Sequence, residues 1–173
     1  MIQLSYESAF DPFHTVFRFL RLWPVVSRVS PIHRDKLRIL DFFLLFPFRI
    51  GEINLAQSHR QYRKIARTYE WKKPYGEQPD SRGLFDRMQP IQAAATETLA
   101  SRLFVEPNPL TVSQIVPTEK IIPILIAERI AEENGKEKDL IAFLAVLGSE
   151  YDLTGAKGLK ARTHLMEHRY DAV

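Results

Sequence analysis

Prolines divide this chain into short helices more strongly than any other feature of the sequence. Eleven prolines occur against seven glycines, and proline is tolerated in the first turn of a helix but not in its interior. Asp11-Pro12 and Ser30-Pro31 each place proline directly after a residue that caps helix N-termini. The first pair predicts a helix that ends before Pro24, and the second predicts a helix that ends at Pro47.

Apolar side chains at helical spacing fill both predicted helices. They are Phe13, Val16, Phe17 and Leu20 in the first helix, and Leu37, Leu40, Phe43 and Leu44 in the second. The excess of aromatic residues in these helices fits a protein core, but aromatic residues are also enriched at the centres of protein interfaces. We therefore predict that Phe13, Phe17 and Leu20 form either part of the core or a partner interface.

A third helix is predicted over residues 54–69, with Asn54 as its cap. Basic residues recur on one side of it at i, i+3, i+4 and i+7, opposite an apolar face that includes Leu55 and Tyr62, and two more lysines follow. The six basic residues are Arg60, Arg63, Lys64, Arg67, Lys72 and Lys73. Such a cationic face suits the phosphates of DNA or an acidic protein surface, and a solvated helix face is the other interpretation.

A helix-turn-helix is predicted further along the chain. Residues 71–82 are a loop because they contain two prolines and a glycine, and Asp80 or Ser81 then begins a short helix. Pro90 would remove a hydrogen bond from a continuous helix, so we expect a second helix to begin there and to run to residue 103. A short helix, a tight turn and a second helix form a helix-turn-helix.

A β-hairpin is predicted directly after this second helix. Its strands are residues 104–105 and 110–116, with turn-forming residues between them. A helix-turn-helix followed by a hairpin predicts a mainly α fold with a winged-helix-like domain, in which the hairpin is the wing. We assign residues 1–117, including the N-terminal helix, to this domain.

The outer face of the second helix is poorly suited to reading DNA. It offers small or weakly charged side chains at Gln92, Ala93, Ala94, Thr96, Glu97, Ala100, Ser101 and Arg102. A recognition helix usually presents Arg, Lys, Asn or Gln to the bases and phosphates. The predicted winged helix is therefore expected to bind protein rather than a DNA sequence.

Three more helices are predicted after Pro117, over residues 121–133, 139–147 and 159–170. We assign residues 118–173 to a C-terminal helical extension that packs on the winged-helix-like domain.

No catalytic site, cofactor site or metal site is predicted. The chain contains no cysteine, which excludes disulfides, thiol catalysis and thiolate metal sites. The string H-x-x-E-H at residues 164–168 resembles a zinc-protease helix. A third ligand should follow well downstream, and only five residues remain. We interpret this segment as a solvated helix and the protein as a non-enzyme.

Charge is divided unevenly along the chain although the net charge is only +3. Residues 1–73 carry a net charge of +7, and residues 74–173 carry −4. This division suggests one face for an anionic partner, or internal ion pairing between the two halves. Residues 1–7 do not resemble a secretory leader, and the longest apolar stretch, residues 42–48, is too short to span a bilayer. We therefore expect a cytoplasmic protein without a membrane partner.

Three segments resemble a known family. The runs AFDPFHTVFRFLRL at residues 9–22, KLRILDFFLLFPF at 36–48 and MQPIQAAATETLASRLF at 88–104 resemble the small middle components of ABC-three-component systems. These systems are prokaryotic defence operons that encode an SMC-like ATPase, the middle component and an effector, and the Lamassu anti-phage systems are related to them. The resemblance covers most of residues 1–116. It implies a winged-helix-like accessory subunit that binds the ATPase and helps to hold or release the effector.

The sequence therefore leads to two functional hypotheses. The first is a non-catalytic adaptor that links an SMC-like ATPase to an effector protein, such as a nuclease, in anti-phage or anti-plasmid defence. Non-specific DNA contact within that complex is part of this hypothesis. The alternative is a stand-alone winged-helix DNA-binding transcriptional regulator, which would bind DNA as a homodimer.

Overall fold

The computed structural model describes residues 8–110 and 112–167, and it confirms a mainly α fold with a small antiparallel sheet. The α-helices are α1 (Pro12–Arg21), α2 (Trp23–Val29), α3 (Arg34–Leu45), α4 (Lys64–Thr68), α5 (Ser81–Ser101), α6 (Pro107–Leu110), α7 (Ile124–Lys136), α8 (Lys138–Glu150) and α9 (Leu159–Thr163). Four 3₁₀ segments join them, at Ser8–Phe10, Pro47–Glu52, Gln57–Arg63 and Glu70–Lys72. Strand β1 (Ile32–His33) pairs with β2 (Gln114–Ile115).

The first helix begins as the sequence predicts. The Asp11 carboxylate accepts a hydrogen bond from the backbone N–H of His14 at 2.9 Å, and Pro12 occupies the first turn. Pro24 does not end the helical region, because it lies in the first turn of α2, where its missing N–H costs nothing.

The predicted start of the second helix at Ser30-Pro31 is wrong by three residues. These two residues lead into β1, and α3 begins only at Arg34. The ring nitrogen Nδ1 of His33 caps it by accepting the N–H of Asp35 at 3.1 Å. The helix then ends two residues before Pro47, as expected.

Helix α5 is one continuous helix, so the predicted helix-turn-helix is wrong. Asp80 caps α5 by accepting the N–H of Gly83 at 2.8 Å, and the helix then continues through Pro90. Pro90 and Asp86, whose carbonyl loses its helical donor, both lie on the exposed side, where water can hydrate that carbonyl. The missing hydrogen bond at Pro90 therefore does not affect the buried side of α5. The outer face predicted for residues 92–102 is also partly wrong, because Gln92 and Thr96 are buried.

The predicted hairpin forms only at its base. Val105 pairs with Pro117, and the N–H of Glu106 donates to the carbonyl of Val116 at 2.9 Å. The predicted strand over residues 110–116 is not continuous, because Ser113 has a φ of 61° and turns the chain. Strand β2 then pairs with β1 rather than with residues 104–105.

Of the C-terminal helices, α7 is shifted by three residues, α8 is longer than predicted and α9 is shorter. Helix α7 runs through Asn134-Gly135, which were expected to close it, and α8 continues past Gly148. A Cβ at Gly148 would lie 3.0 Å from a methyl group of Val25, so this glycine lets α8 pack closely on α2. Helix α9 ends at Thr163 because His164 adopts a left-handed conformation, with a φ of 56°. The remainder of the helix predicted to reach residue 170 lies partly outside the described residues.

One continuous hydrophobic core joins the N-terminal and C-terminal helices. Helix α8 packs against α2 and α3 and contributes Phe143, Leu144 and Leu147, all of which are fully buried. The predicted extension therefore supplies part of the same core as residues 8–117. The division into domains at residue 117 stays a prediction.

A buried polar network connects three of the helices. The Asp41 carboxylate on α3 is completely buried and accepts hydrogen bonds from Arg18 on α1, at 2.6 and 3.2 Å. It also accepts one from the side-chain amide of Gln92 on α5, at 2.9 Å. Gln92 in turn accepts a hydrogen bond from Arg38 at 2.9 Å. Arg18 also donates to the carbonyl of Ser8 at 2.8 Å.

Replacing Asp41 by asparagine should destabilise the protein strongly, because Arg18 would remain buried without its counter-charge. We expect the free energy of unfolding to fall by about 3 kcal/mol. Urea denaturation followed by circular dichroism measures this loss. The matched control is Glu97→Gln on the exposed side of α5, which should change stability by less than about 0.5 kcal/mol. Equal stability of the Asp41→Asn variant and the unchanged protein would contradict the role given to this ion pair.

Candidate functional site

The segment that carries the predicted basic face is not the continuous α-helix predicted over residues 54–69. Asn54 does not cap a helix. Its N–H donates to the carbonyl of Arg162 at 2.9 Å. Residues Gln57–Arg63 form a 3₁₀ helix, which passes into the short helix α4. The segment is anchored at the end of α8, where the N–H of Ala56 donates to the hydroxyl of Tyr151, the residue after the helix, at 3.1 Å. The ring of Tyr62 also packs 4.9 Å from the ring of Phe143.

Four of the six predicted basic residues form an exposed, unneutralised surface. In a 3₁₀ helix, residues three apart eclipse each other, so Arg60 and Arg63 project from the same side. Arg67 follows one α-helical turn later, with Lys64 beside Arg63. All four side chains are exposed, and none makes an ion pair or hydrogen bond within residues 8–110 and 112–167. We call Arg60, Arg63, Lys64 and Arg67 the basic row.

The side of the segment facing away from the basic row is buried, as the sequence predicts. Leu55, Ile65 and Tyr69 belong to the hydrophobic core, and Tyr62 is half-buried against it. Burial of this side holds the basic row toward solvent.

Lys72 and Lys73 differ from the basic row because both are engaged within the protein. Lys72 is half-buried and makes an ion pair with Glu137. Glu137 also accepts a hydrogen bond from the Arg21 guanidinium on α1, at 2.7 Å. Lys73 is exposed and lies 3.5 Å from the carboxylate of Glu70. Lys72 therefore connects the 3₁₀ turn Glu70–Lys72 to α1 and to the start of α8.

The pKa of Glu137 reflects this arrangement. Burial alone would raise the pKa of the carboxyl group above its ordinary value of 4.5. The hydrogen bonds from Lys72 and Arg21 outweigh burial, so the pKa of Glu137 lies below that value. Glu137 is therefore ionised in the folded protein at neutral pH.

The other predicted interface residues, on α1, lie at three different depths. Phe13 is 84% exposed, Phe17 is half-buried, and Leu20 lies in the core at 5% exposure. Of the three side chains, that of Phe13 is therefore the most exposed.

A second exposed apolar region was not singled out from the sequence. Ile121, Ile124 and Leu125 are all strongly exposed at the start of α7. We call residues 121–125 the apolar segment. Helix α7 contributes Ile130 to the buried core, and this residue is followed by charged side chains. The run of isoleucines and leucine before a charged helix was the available signal, but helical periodicity does not show whether such residues face the core or the solvent.

A cavity of about 330 Å³ lies beside the basic row. Its lining includes the side chains of Tyr62, Lys64, Thr68, Lys136, Lys138 and Asp139. Lys138 has no ion-pair partner in the part of the chain that the structure describes, whereas Lys136 pairs with Glu132 at 2.7 Å. The cationic surface therefore extends from Lys64 on α4 to the start of α8.

Part of the uneven charge distribution is neutralised internally. Arg21 and Lys72 from the basic half pair with Glu137 from the acidic half. His59 Nε2 also lies 3.1 Å from the Glu150 carboxylate. The basic row belongs to the part of the N-terminal excess that this pairing leaves uncompensated.

The H-x-x-E-H string does not form the helical face that a zinc-protease site requires. Helix α9 ends at Thr163, and His164 has left the helix, while residue 168 lies outside the described residues. Among residues 8–110 and 112–167, no cluster of three histidine, aspartate or glutamate side chains is arranged to hold a metal ion. Within those same residues, no helix combines the length and apolar character needed to cross a membrane.

Comparison with known proteins identifies one family. The family model of the ABC-three component (ABC-3C) system Middle Component 5 matches residues 4–171. No curated protein and no solved structure matches the chain.

Stability should depend on pH through Glu137. Because its pKa is lower in the folded protein, ionised Glu137 stabilises the fold above the unfolded-state pKa, and this contribution is lost as the pH falls through the folded-state pKa. Urea denaturation between about pH 5 and pH 3 should show a smaller loss of stability for Glu137→Gln than for the unchanged protein. The control is Glu128→Gln, at an exposed residue of α7, which should retain the full loss. The same acid-induced loss in both variants would contradict this role for Glu137.

Proposed function

Because the chain belongs to the ABC-three component system Middle Component 5 family, we propose that it is the accessory subunit of a prokaryotic defence complex. In this proposal it links an SMC-like ATPase to an effector protein, such as a nuclease, and acts against phages or plasmids in the cytoplasm. The match extends over residues 4–171, so nearly the whole chain takes part in the assignment. We assign the protein no catalytic residue, cofactor or metal.

The observation that best supports an adaptor is that the protein exposes two chemically different surfaces in addition to a complete core. One is apolar: Phe13 on α1 and the apolar segment expose large side chains to solvent. Exposed apolar residues of this size are typical of protein interfaces. The other surface is the basic row, whose four cations are not neutralised within the described residues.

The two surfaces suggest different contacts in the complex. We propose that Phe13, with Phe17 beneath it, contacts a protein partner, while Leu20 supports α1 from the core. We propose that the basic row contacts DNA or an acidic surface of a partner. We include Lys72 and Lys73 in the same proposed contact, because they follow the basic row in the sequence.

A stand-alone winged-helix regulator has lost its main support. That hypothesis depended on a helix break at Pro90, and α5 is continuous from Ser81 to Ser101. Gln92, which a recognition helix would offer to bases, is bonded instead to Asp41 and Arg38 inside the protein.

Purification from the native operon tests the adaptor proposal directly. The tagged chain, recovered under mild conditions, should bring with it a long coiled-coil ATPase and a second protein, identified by mass spectrometry. Recovery of the chain as a free homodimer that binds duplex DNA would contradict the proposal and favour the regulator.

Charge reversal tests the basic row within the complex. The double variant Arg63→Glu, Arg67→Glu should abolish protection of cells against phage or plasmid, because it turns two attractive contacts into repulsive ones. Both residues are exposed, so the thermal unfolding midpoint should stay close to that of the unchanged protein.

The matched control reverses two exposed arginines elsewhere in the chain, Arg28→Glu on α2 and Arg102→Glu directly after α5. This control changes the net charge equally and should preserve protection. Full protection by the Arg63, Arg67 double variant would show that the basic row has no role.

A further inference from the structure

Two aromatic side chains stand out at the end of the basic row because they are almost free of protein contacts. Trp71 is 76% exposed and Tyr75 is 91% exposed, whereas most aromatic rings of the described residues are buried in the core or packed against it. Exposed rings next to unneutralised cations are the combination that proteins use to bind single-stranded nucleic acid. The cations then contact phosphates, and the rings stack on bases.

Local helical geometry places Trp71 in line with the basic row. Backbone hydrogen bonds continue from α4 into the 3₁₀ turn Glu70–Lys72, as the N–H of Tyr69 donates to the carbonyl of Ile65 at 3.1 Å. Arg60, Arg63, Arg67 and Trp71 therefore succeed one another at intervals of about one turn. A step of three residues in a 3₁₀ helix or four in an α-helix advances about 6 Å. A line of evenly spaced cations that ends in an indole ring suits a polyanion whose charges repeat along a strand.

Contacts at both ends hold the loop that carries the two rings. At one end, the Lys72 ammonium pairs with Glu137 and lies 5.5 Å from the centre of the Trp71 ring. At the other end, the Arg49 guanidinium donates to the carbonyl of Pro79 at 2.8 Å. A loop fixed in this way loses less conformational freedom on binding than a free one.

The cavity next to the row provides a continuation of the same surface. Lys64 belongs to the row and also lines the cavity, together with Lys138. Asp139 is the acidic side chain on that lining. A strand that follows the row can thus meet a further cation at the start of α8.

We infer that this surface binds single-stranded nucleic acid, with Arg60, Arg63, Lys64 and Arg67 on the phosphates and Trp71 and Tyr75 stacked on bases. Unpaired bases expose the faces that these rings require, whereas a duplex hides them, so a single strand binds more tightly than a duplex. The inference names the partner of the basic row. It rests on the proposed function only because it treats this row as a contact surface.

Salt dependence of binding is the first test. The isolated full-length chain is titrated with a fluorescent oligothymidylate of 12 nucleotides, and affinity is measured by anisotropy at several salt concentrations. Four phosphate contacts predict a slope of log K against log salt of about −2.8. Arg67→Gln should make the slope shallower by about 0.7, and Arg102→Gln, at an exposed arginine directly after α5, should leave it unchanged.

Stacking is the second test. Trp71→Ala should weaken the affinity for the single strand about tenfold, and Trp71→Phe should restore most of it, because any aromatic ring can stack on a base. Neither variant should change the salt slope, since Trp71 carries no charge. A duplex of the same length should bind more weakly than the single strand and should be insensitive to Trp71→Ala.

Several outcomes would overturn the inference. They are no binding at low salt, equal affinity for duplex and single strand, and an affinity that Trp71→Ala leaves unchanged. Stronger binding of a polyglutamate peptide than of the oligonucleotide would assign the row to an acidic protein instead. None of these outcomes bears on co-purification with an ATPase and a second protein, so the adaptor proposal is judged separately.

Discussion

The fold depends on the neutralisation of one buried carboxylate. Asp41 is completely shielded from water, and a charge in that position is tolerated only when counter-charge and hydrogen bonds surround it. Its partners, Arg18 and Gln92, come from two other helices, so α1, α3 and α5 must meet in one register. Apolar faces alone would allow these helices to slide against each other. The polar network selects one packing among them, because any shift would leave a buried charge without its partner.

A second ion-pair cluster relates this core to the surface. Glu137 joins α1 through Arg21 to the segment after α4 through Lys72. The same Lys72 lies over the rings of Tyr69 and Trp71, one buried and one exposed. The position of the exposed indole therefore depends on an interaction between parts of the chain that are far apart in sequence. Loss of charge at Glu137 would loosen both the packing of α1 and the end of the basic row.

The family assignment identifies a component of a multi-subunit defence system. The core is assembled from all parts of the described chain, and the surface includes an apolar group and a cationic group. The sequence predicted six cationic residues on one α-helix and its continuation, whereas the structure exposes four of them as the basic row on a backbone that is partly 3₁₀. The 3₁₀ geometry of Gln57–Arg63 aligns Arg60 with Arg63 more closely than an α-helix would. Periodicity in sequence does not distinguish these two helix types over so few residues.

The features that the sequence by itself determined are local ones, such as the start of a helix. The cap and proline at Asp11-Pro12 act within one turn and set the start of α1 wherever the helix lies in the molecule. Tertiary structure decided the rest. Pro90 remains inside α5 because its defect faces solvent, and Gln92 is buried because Asp41 requires a donor. Lys72 does not extend the basic row, because its ammonium group forms an ion pair with Glu137. At Gln92 and Lys72 a distant residue supplies the free energy that overrides the local preference, and at Pro90 the packing of α5 decides which side of the helix faces solvent. A single sequence does not state which distant residues will meet.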